Sequence, residues 1–511
     1  MSGLSIVRSN ARTPCPDLFN LAQYVLEAGL TCPKKSALEI LGAPGHVKER
    51  WSFADLRGAV LGTAWGLWDL GIRPGQKVVL RLGHRADFPI CYLAVIALGC
   101  IAVPTSSQLT VAEFDRILED LGDVALVVQD EKLDGPSYRV PILNRRDLSG
   151  MRDLPPLPFH ASNSNDPAYI VYTSGSSGRP KGVVHAHRAV WARRMMWEGW
   201  YGLTSEDRML HAGAFNWTFT LGTGLLDPWA IGATSLVYQG PSDRHIWSEL
   251  AHAHSASLFA GAPGVFRQLL SSPRNLSADF STLRHALCAG EALPASVRMA
   301  WEDRTGTDIF EALGMSEVST FISGSPGQLP VSGSVGRPQP GRSIAILNNG
   351  EAVETGEIGS LSVHRDDPGL MLGYHRPDLL PHLPLTGEWF ETGDRAKMTA
   401  EGDIFYEGRS DALITAGGYR ISPEEVEGVL SGHPKIAEAA AIGIEVKEGA
   451  TLMAAFIVIL DDVDDGELRD YMSSHLAAYK IPRLFGRLEA LPRSANGKLD
   501  RRRLPELWRP T

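Results

Sequence analysis

Residues 88–104, FPICYLAVIALGCIAVP, carry no charged side chain, and what that run can become constrains the rest of the chain. A membrane span needs roughly 20 apolar residues. This run is shorter and has a proline near each end. Gly99 divides it. Residues 88–98 read as a buried helix, Gly99 as its C-terminal cap, and 100–103 as a strand. Together with KVVLRL at 77–82 this makes a strand–helix–strand unit, a core element and not a membrane anchor. Similar apolar runs recur at 124–128, 169–172, 234–238, 257–260 and 285–289, with helical patterns between them. The expected class is therefore α/β, with parallel or mixed sheets flanked by helices.

Composition narrows the function classes. Over 511 residues, 44% are apolar and 21% charged, which excludes disorder and coiled-coil rods. A net charge of −10, from 49 basic and 59 acidic residues, argues against bulk nucleic-acid binding. The five cysteines, Cys15, Cys32, Cys91, Cys100 and Cys288, form no CxxC pair. They imply neither a disulfide framework nor a zinc site, and read as apolar fillers in a reducing cytosol. The first ten residues lack the apolar core of a signal peptide, so a cytoplasmic protein without membrane contact is expected.

From about residue 331 to 408 the texture changes, with Gly and Pro punctuating short strands such as SIAIL and GSLSVH. This reads as a small β-rich subdomain closing an N-terminal domain of residues 1–408. Beyond it, Ser422-Pro423-Glu424-Glu425 opens a helix, with Ser422 as cap and Glu425 completing a capping box. Strands at 439–444 and 453–460 and a helix around 466–478 make residues 412–511 a small α+β domain, joined through 409–411.

The sharpest local signal is Tyr172-Thr173-Ser174-Gly175-Ser176-Ser177-Gly178-Arg179-Pro180-Lys181-Gly182, directly after an apolar strand. Glycines let backbone approach a ligand, hydroxyls and free N–H groups suit phosphate oxygens, and Lys181 adds a point charge. The Walker pattern is absent, since Pro180 precedes the lysine and Gly182 follows it. The string resembles the phosphate-binding loop of the adenylate-forming superfamily of acyl-CoA synthetases, adenylation domains and luciferases.

Other stations of that superfamily follow in its order. Ala289-Gly290-Glu291-Ala292-Leu293 is similar to the adenine-side glycine motif, and Glu311-Ala312-Leu313-Gly314-Met315-Ser316-Glu317 to the aromatic-Gly-x-Thr-Glu signature. Thr392-Gly393-Asp394 matches the TGD motif. Gly408-Arg409-Ser410-Asp411 with Gly418 and Glu425 resembles the hinge and the start of a mobile C-terminal domain. Ser494-Ala495-Asn496-Gly497-Lys498 resembles the terminal motif with the catalytic lysine.

The resemblance implies ATP binding by Thr173, Ser174, Gly175, Ser176, Ser177, Gly178, Lys181, the 290–292 and 311–316 segments, Asp394 and Arg409. It makes Glu317 a catalytic residue and Mg²⁺ ligand, and Lys498 the bridge between substrate carboxylate and α-phosphate. Asp411 becomes the pivot, and Gly417, Gly418 and Tyr419 face coenzyme A. The histidines of His185-Ala186-His187 read as packing groups, and Arg501-Arg502-Arg503 as a solvated basic tail.

The acyl pocket of the superfamily is lined by the segment here running Asn216-Trp217-Thr218-Phe219. Asn216 stands where amino-acid-activating members carry Asp, which argues against an α-amino acid. The run Phe219-Thr220-Leu221-Gly222-Thr223-Gly224, with Gly182-Val183-Val184-His185 and Leu313-Gly314, is most similar to the benzoate–CoA ligase branch, in which Trp217 and Thr218 are not the usual residues. Two large aromatics favour a flat ring over a long chain. A compact alicyclic or short branched acid stays open. The implied activity is ATP-dependent ligation of an aryl or small ring carboxylic acid to coenzyme A. The alternative is a stand-alone enzyme loading a carrier protein in trans. A homodimer is left open.

Overall fold

The computed structural model describes residues 3–8, 13–130, 140–174, 180–241, 243, 245–377, 379–409, 413–492 and 499–508, with only the backbone of Ser174, Arg409, Glu424 and Arg502. The strand–helix–strand unit forms as its apolar run requires. Lys77–Arg81 and Ile101–Pro104 pair in parallel around the helix Asp87–Ala97, every residue of which is buried. Gly99 has the left-handed φ of 77° that the turn needs and that a side chain would resist.

Two large sheets carry the N-terminal region. One has eight strands, with Pro167–Ser174, Ile101–Pro104 and Lys77–Arg81 at its centre. The other has nine, with Ile309–Met315, His285–Ala289, Leu258–Gly261 and Arg208–His211 side by side. In the nine-stranded sheet the central strands pair in parallel and the edges in antiparallel, whereas the eight-stranded sheet is parallel from Pro167–Ser174 to Ile142–Asn144 and antiparallel on its other side. Helices cover them, so the parallel strands are buried on both faces and read in sequence as continuous apolar runs. This is the expected α/β class.

The β-rich stretch is less self-contained than its punctuation implied. Gly373–Arg376 and Leu379–His382 extend the eight-stranded sheet, and Arg337–Pro338 extends the nine-stranded one. The remainder forms a six-stranded antiparallel sheet whose edge is closed by Ile6–Val7 from the start of the chain.

At the C-terminal end, Ile436–Lys447 and Ala450–Ile459 make a hairpin longer than expected, with Leu484–Arg487 added in parallel. The helix Asp465–Ser473 stops short of the expected 478, and a short turn Ala478–Lys480 follows. Strand alternation gives the sheet two different faces. Ala441, Met453, Ala455 and Ile457 pack with Ile421, Val426 and Leu468. Ala440, Ile442, Ala454 and Phe456 pack instead with Leu491, Leu499 and Leu504. Ser422 caps the helix Pro423–Ser431 as expected, its Oγ accepting from the Glu425 N–H at 3.4 Å. The Glu425 carboxylate is directed to Lys480, not back along a capping box. Among the described residues no helix is long and apolar enough to cross a membrane.

Candidate active site

The carboxyl ends of Pro167–Ser174, His285–Ala289 and Ile309–Met315 converge on one cavity of about 340 Å³. Open α/β sheets take their ligands at such strand ends. Thr173 and Lys181 face each other across the antiparallel pair Pro167–Ser174 and Pro180–Ala186, and both line the cavity. Lys181 Nζ lies 5.2 Å from the centroid of the Tyr374 ring, and the Tyr374 hydroxyl donates to Glu317 Oε1 at 2.9 Å. A cation, a phenol and a carboxylate thus stand in a row along one wall. Tyr374 had no distinguishing sequence context, and was not foreseen.

Glu317 is held from behind. Its carbonyl accepts from the Met371 N–H at 2.8 Å. The neighbouring Ser316 carbonyl accepts from His185 Nε2 at 2.7 Å, and the His185 ring stacks on Tyr169 at 4.7 Å. Burial pushes His185 down to about 4, so it works as a neutral donor. His187 Nδ1 accepts from the Leu21 N–H at 3.0 Å. Both histidines are packing groups, as expected. Among the described residues no three His, Cys, Asp or Glu side chains cluster as a metal site. The Glu317 carboxylate, beside the phosphate-side strand pair, still suits Mg²⁺, which is commonly held by one or two carboxylates plus phosphate oxygens.

Asn216, Trp217, Thr218 and Phe219 form a further wall. Trp217 meets Phe219 edge-on at 6.0 Å and stacks parallel on Tyr419 at 6.0 Å, while Tyr419 stacks on Tyr479 at 4.1 Å. Three rings therefore run from the acyl segment into the C-terminal region. Gly418 makes this approach possible. It has a φ of 82°, its N–H donates to Glu291, and a Cβ there would lie 2.8 Å from the Trp217 ring. A Cβ on Gly290 would meet the same edge of that ring, at 3.3 Å.

The structure gathers Thr173, Lys181, Asn216, Trp217, Thr218, Phe219, Gly290, Gly314, Met315, Ser316, Glu317, Gly418 and Tyr419 around this single cavity. Thr392 and Gly393 also reach it, and Asp394 follows directly, in register with Arg409 on the next strand. Ala312 and Leu313 pack into cores behind the wall, and Ala292 is exposed outside it. Ala312 and Leu313 point to opposite faces of the strand Ile309–Met315, each into a core, and Ala292 lies in the loop after His285–Ala289, so none of the three side chains lines the cavity. Gly175, Ser176, Ser177, Gly178, Asp411 and Lys498 lie outside the described residues.

Glu311 is also behind the wall, accepting from the Leu293 N–H at 2.8 Å and from Arg298 at 3.2 Å. Burial pushes its carboxyl up to about 7, despite these donors. The folded chain then holds a proton that the unfolded chain releases above the ordinary value of 4.5. Stability contributed by this group is full below that value and is lost as pH rises through about 7. Glu311→Gln is expected to flatten the decline by up to about 3 kcal/mol in denaturation curves across this range. An unchanged slope would contradict the assignment of a buried acid.

Residues 28–375 match the AMP-binding enzyme family, and residues 425–498 match the AMP-binding enzyme C-terminal domain. The chain belongs to the AMP-binding enzyme family. This AMP-binding enzyme is 30% identical over 486 residues to the 4-hydroxybenzoate–CoA/benzoate–CoA ligase of Rhodopseudomonas palustris, covering 89% of each chain. It matches a double mutant of o-succinylbenzoate CoA synthetase from Bacillus subtilis, bound with its product analogue OSB-NCoA, at a TM-score of 0.83. That match has 26% identity over 95% of this chain and 98% of the other. Against the anthranilate CoA ligase AuaEII in complex with anthranoyl-AMP the TM-score is 0.69, at 27% identity over 96% and 98% of the chains.

Proposed function

We propose that this AMP-binding enzyme is an ATP-dependent carboxylic acid–CoA ligase acting on an aryl or other small ring acid. The observation that carries the reading is the shared cavity. Phosphate-side groups (Thr173, Lys181), the carboxylate of Glu317, the aromatic acyl segment, and Gly418 and Tyr419 meet there, while Gly417 is exposed outside it. In the first step the substrate carboxylate oxygen attacks the α-phosphorus of ATP and pyrophosphate leaves. In the second the CoA thiol attacks the acyl carbon, loses its proton, and AMP leaves.

ATP and the carboxylate repel each other, so catalysis rests on positioning and on fixed positive charge. Lys181 supplies such charge at the phosphate side. Glu317 would hold Mg²⁺, which screens phosphate charge when bound. Asp394 and Arg409 would take the ribose, and Lys498 would meet the developing charge at the α-phosphate. Relatives named as CoA ligases favour CoA over a carrier protein as acceptor.

Both steps need different parts of the C-terminal region at one cavity. The Gly417–Tyr419 turn belongs to one face of its small sheet, with Ile421 and Tyr419 packed there. Leu491 and Leu499, the packed residues on either side of 493–498, belong to the opposite face. Rotation about Asp411 is the simplest way to exchange them. The closer match to the relative holding a CoA product analogue than to the one holding an acyl-AMP supports reading the present arrangement as the thioester-forming one. A cytoplasmic location and a homodimeric assembly belong to the same proposal.

A pyrophosphate-release screen over aryl, alicyclic and aliphatic acids, with ATP, Mg²⁺ and CoA, tests the reading. Ring acids are expected to outrun fatty acids, because Trp217 and Phe219 narrow the pocket. Phe219→Ala should trade benzoate-sized acids for larger ones by about 10–200-fold in relative kcat/KM. Better turnover of dodecanoate than of any ring acid by the unaltered enzyme would overturn the substrate class.

A further inference from the structure

We propose that Lys480 is a positioning residue for thioester formation, a latch that closes the C-terminal region onto the helix Val111–Leu121 through Glu113. The inference rests on the ligase reading above. Lys480 Nζ lies 2.9 Å from Glu113 Oε1 and 2.8 Å from Glu425 Oε1. All three side chains are at least nine-tenths buried, with exposures of 9%, 4% and 6%. Glu425 belongs to the same C-terminal region as Lys480, whereas Glu113 comes from 367 residues earlier in the chain.

Glu113 is rigidly presented. It completes a capping box, its Oε2 accepting from the Thr110 N–H and hydroxyl at 3.0 Å each, which leaves Oε1 for the lysine. Burial alone would raise the Glu113 carboxyl and lower the Lys480 ammonium. Against that, Lys480 and the Thr110 N–H hold the Glu113 carboxyl below its ordinary value, and Tyr479, Glu425 and Glu113 hold the Lys480 ammonium above its own.

Position links the pair to the chemistry. Glu113, Glu425, Tyr479 and Lys480 all line the active-site cavity. The residue beside Lys480, Tyr479, is the last ring of the stack through Tyr419 to Trp217. Closing Lys480 on Glu113 therefore seats the Gly417–Tyr419 turn against the acyl segment. A buried ammonium between two carboxylates also makes the closure all-or-none, since without it two like charges face each other out of water. The pair is made between regions that must part when the other face of the small sheet is presented. Its stabilisation falls on one orientation only.

The half-reactions separate the latch from general packing. The acid is the one selected by the pyrophosphate-release screen. Acid-dependent exchange of pyrophosphate into ATP reports adenylation, and transfer from supplied acyl-AMP to CoA reports the second step. Lys480→Met is expected to slow transfer by about tenfold or more while adenylation stays within about twofold. Glu113→Gln should do the same, because glutamine still serves a capping box and keeps the helix start intact. Lys480→Arg, which keeps a cation between Glu113 and Glu425, should restore transfer. Equal losses in both half-reactions, or normal transfer in Glu113→Gln, would overturn the latch. Absence of any acid-dependent exchange in the unaltered enzyme would instead overturn the ligase reading on which it rests.

Discussion

Lys498→Ala is expected to slow acyl-AMP formation by about 10²–10³-fold, the cost of losing one preorganised charge contact in a water-poor site. Transfer of the acyl group from supplied acyl-AMP to CoA should survive largely intact. The motive is twofold. Lys498 closes the Ser-Ala-Asn-Gly-Lys motif, whose counterpart in the superfamily it resembles carries the adenylating lysine. The packed residues around that motif, Leu491 and Leu499, sit on the face of the small sheet away from the Gly417–Tyr419 turn. A residue used in one orientation only should affect one step only. Rapid-quench assays of each half-reaction decide the matter, and equal losses in both would remove Lys498 from its role.

Asp227→Ala is expected to cost about 3–5 kcal/mol of stability, because it strands a buried cation. Arg193 Nε and Nη2 both reach the Asp227 carboxylate, at 2.8 and 2.6 Å, with exposures of 6% and 1% for the two side chains. The Tyr201 hydroxyl also donates to Asp227 at 2.7 Å, and Arg193 donates to Ser319. Ser319 has a φ of 72° and lines the cavity two residues after Glu317. The ion pair thus lies beneath the active-site wall, and losing its anion should loosen the site as well as the core. Replacing both partners together with Met and Leu should recover much of the stability, since a buried pair gains little over apolar side chains of similar size. Urea midpoints of the two variants and the unaltered enzyme test this. A loss below about 1 kcal/mol for Asp227→Ala would show that water or another anion reaches Arg193.

Much of this architecture was legible because burial on two faces leaves an uninterrupted apolar run. His285–Ala289 and Thr234–Tyr238 emerge with the ends that their composition suggests, and Gly99 marks its turn through a φ that only glycine takes freely. Edges were less legible. Ile6–Val7 is two residues long, and its partner Ile344–Asn348 lies far along the chain, so no local pattern announces the pairing. The site divides in the same way. Groups carried on contiguous motifs, such as Thr173, Lys181 and Glu317, were found from spacing and resemblance. Tyr374 and Glu113 reach the cavity by tertiary placement alone. Lys480 stands in Ala-Tyr-Lys-Ile-Pro, where a cation among apolar neighbours hints at burial. Its partner is 367 residues upstream, and only the folded chain identifies it.

The ligase account makes a commitment about atoms that can be read directly. Acyl-AMP formation joins a carboxylate oxygen to the α-phosphorus, and attack by the thiol at the acyl carbon leaves that oxygen on AMP. A ring acid labelled with ¹⁸O in both carboxylate positions, incubated with the enzyme, ATP, Mg²⁺ and CoA, should yield acyl-CoA and AMP carrying one ¹⁸O, with unlabelled pyrophosphate. Unlabelled AMP beside labelled acyl-CoA, or ADP in place of AMP, would contradict it.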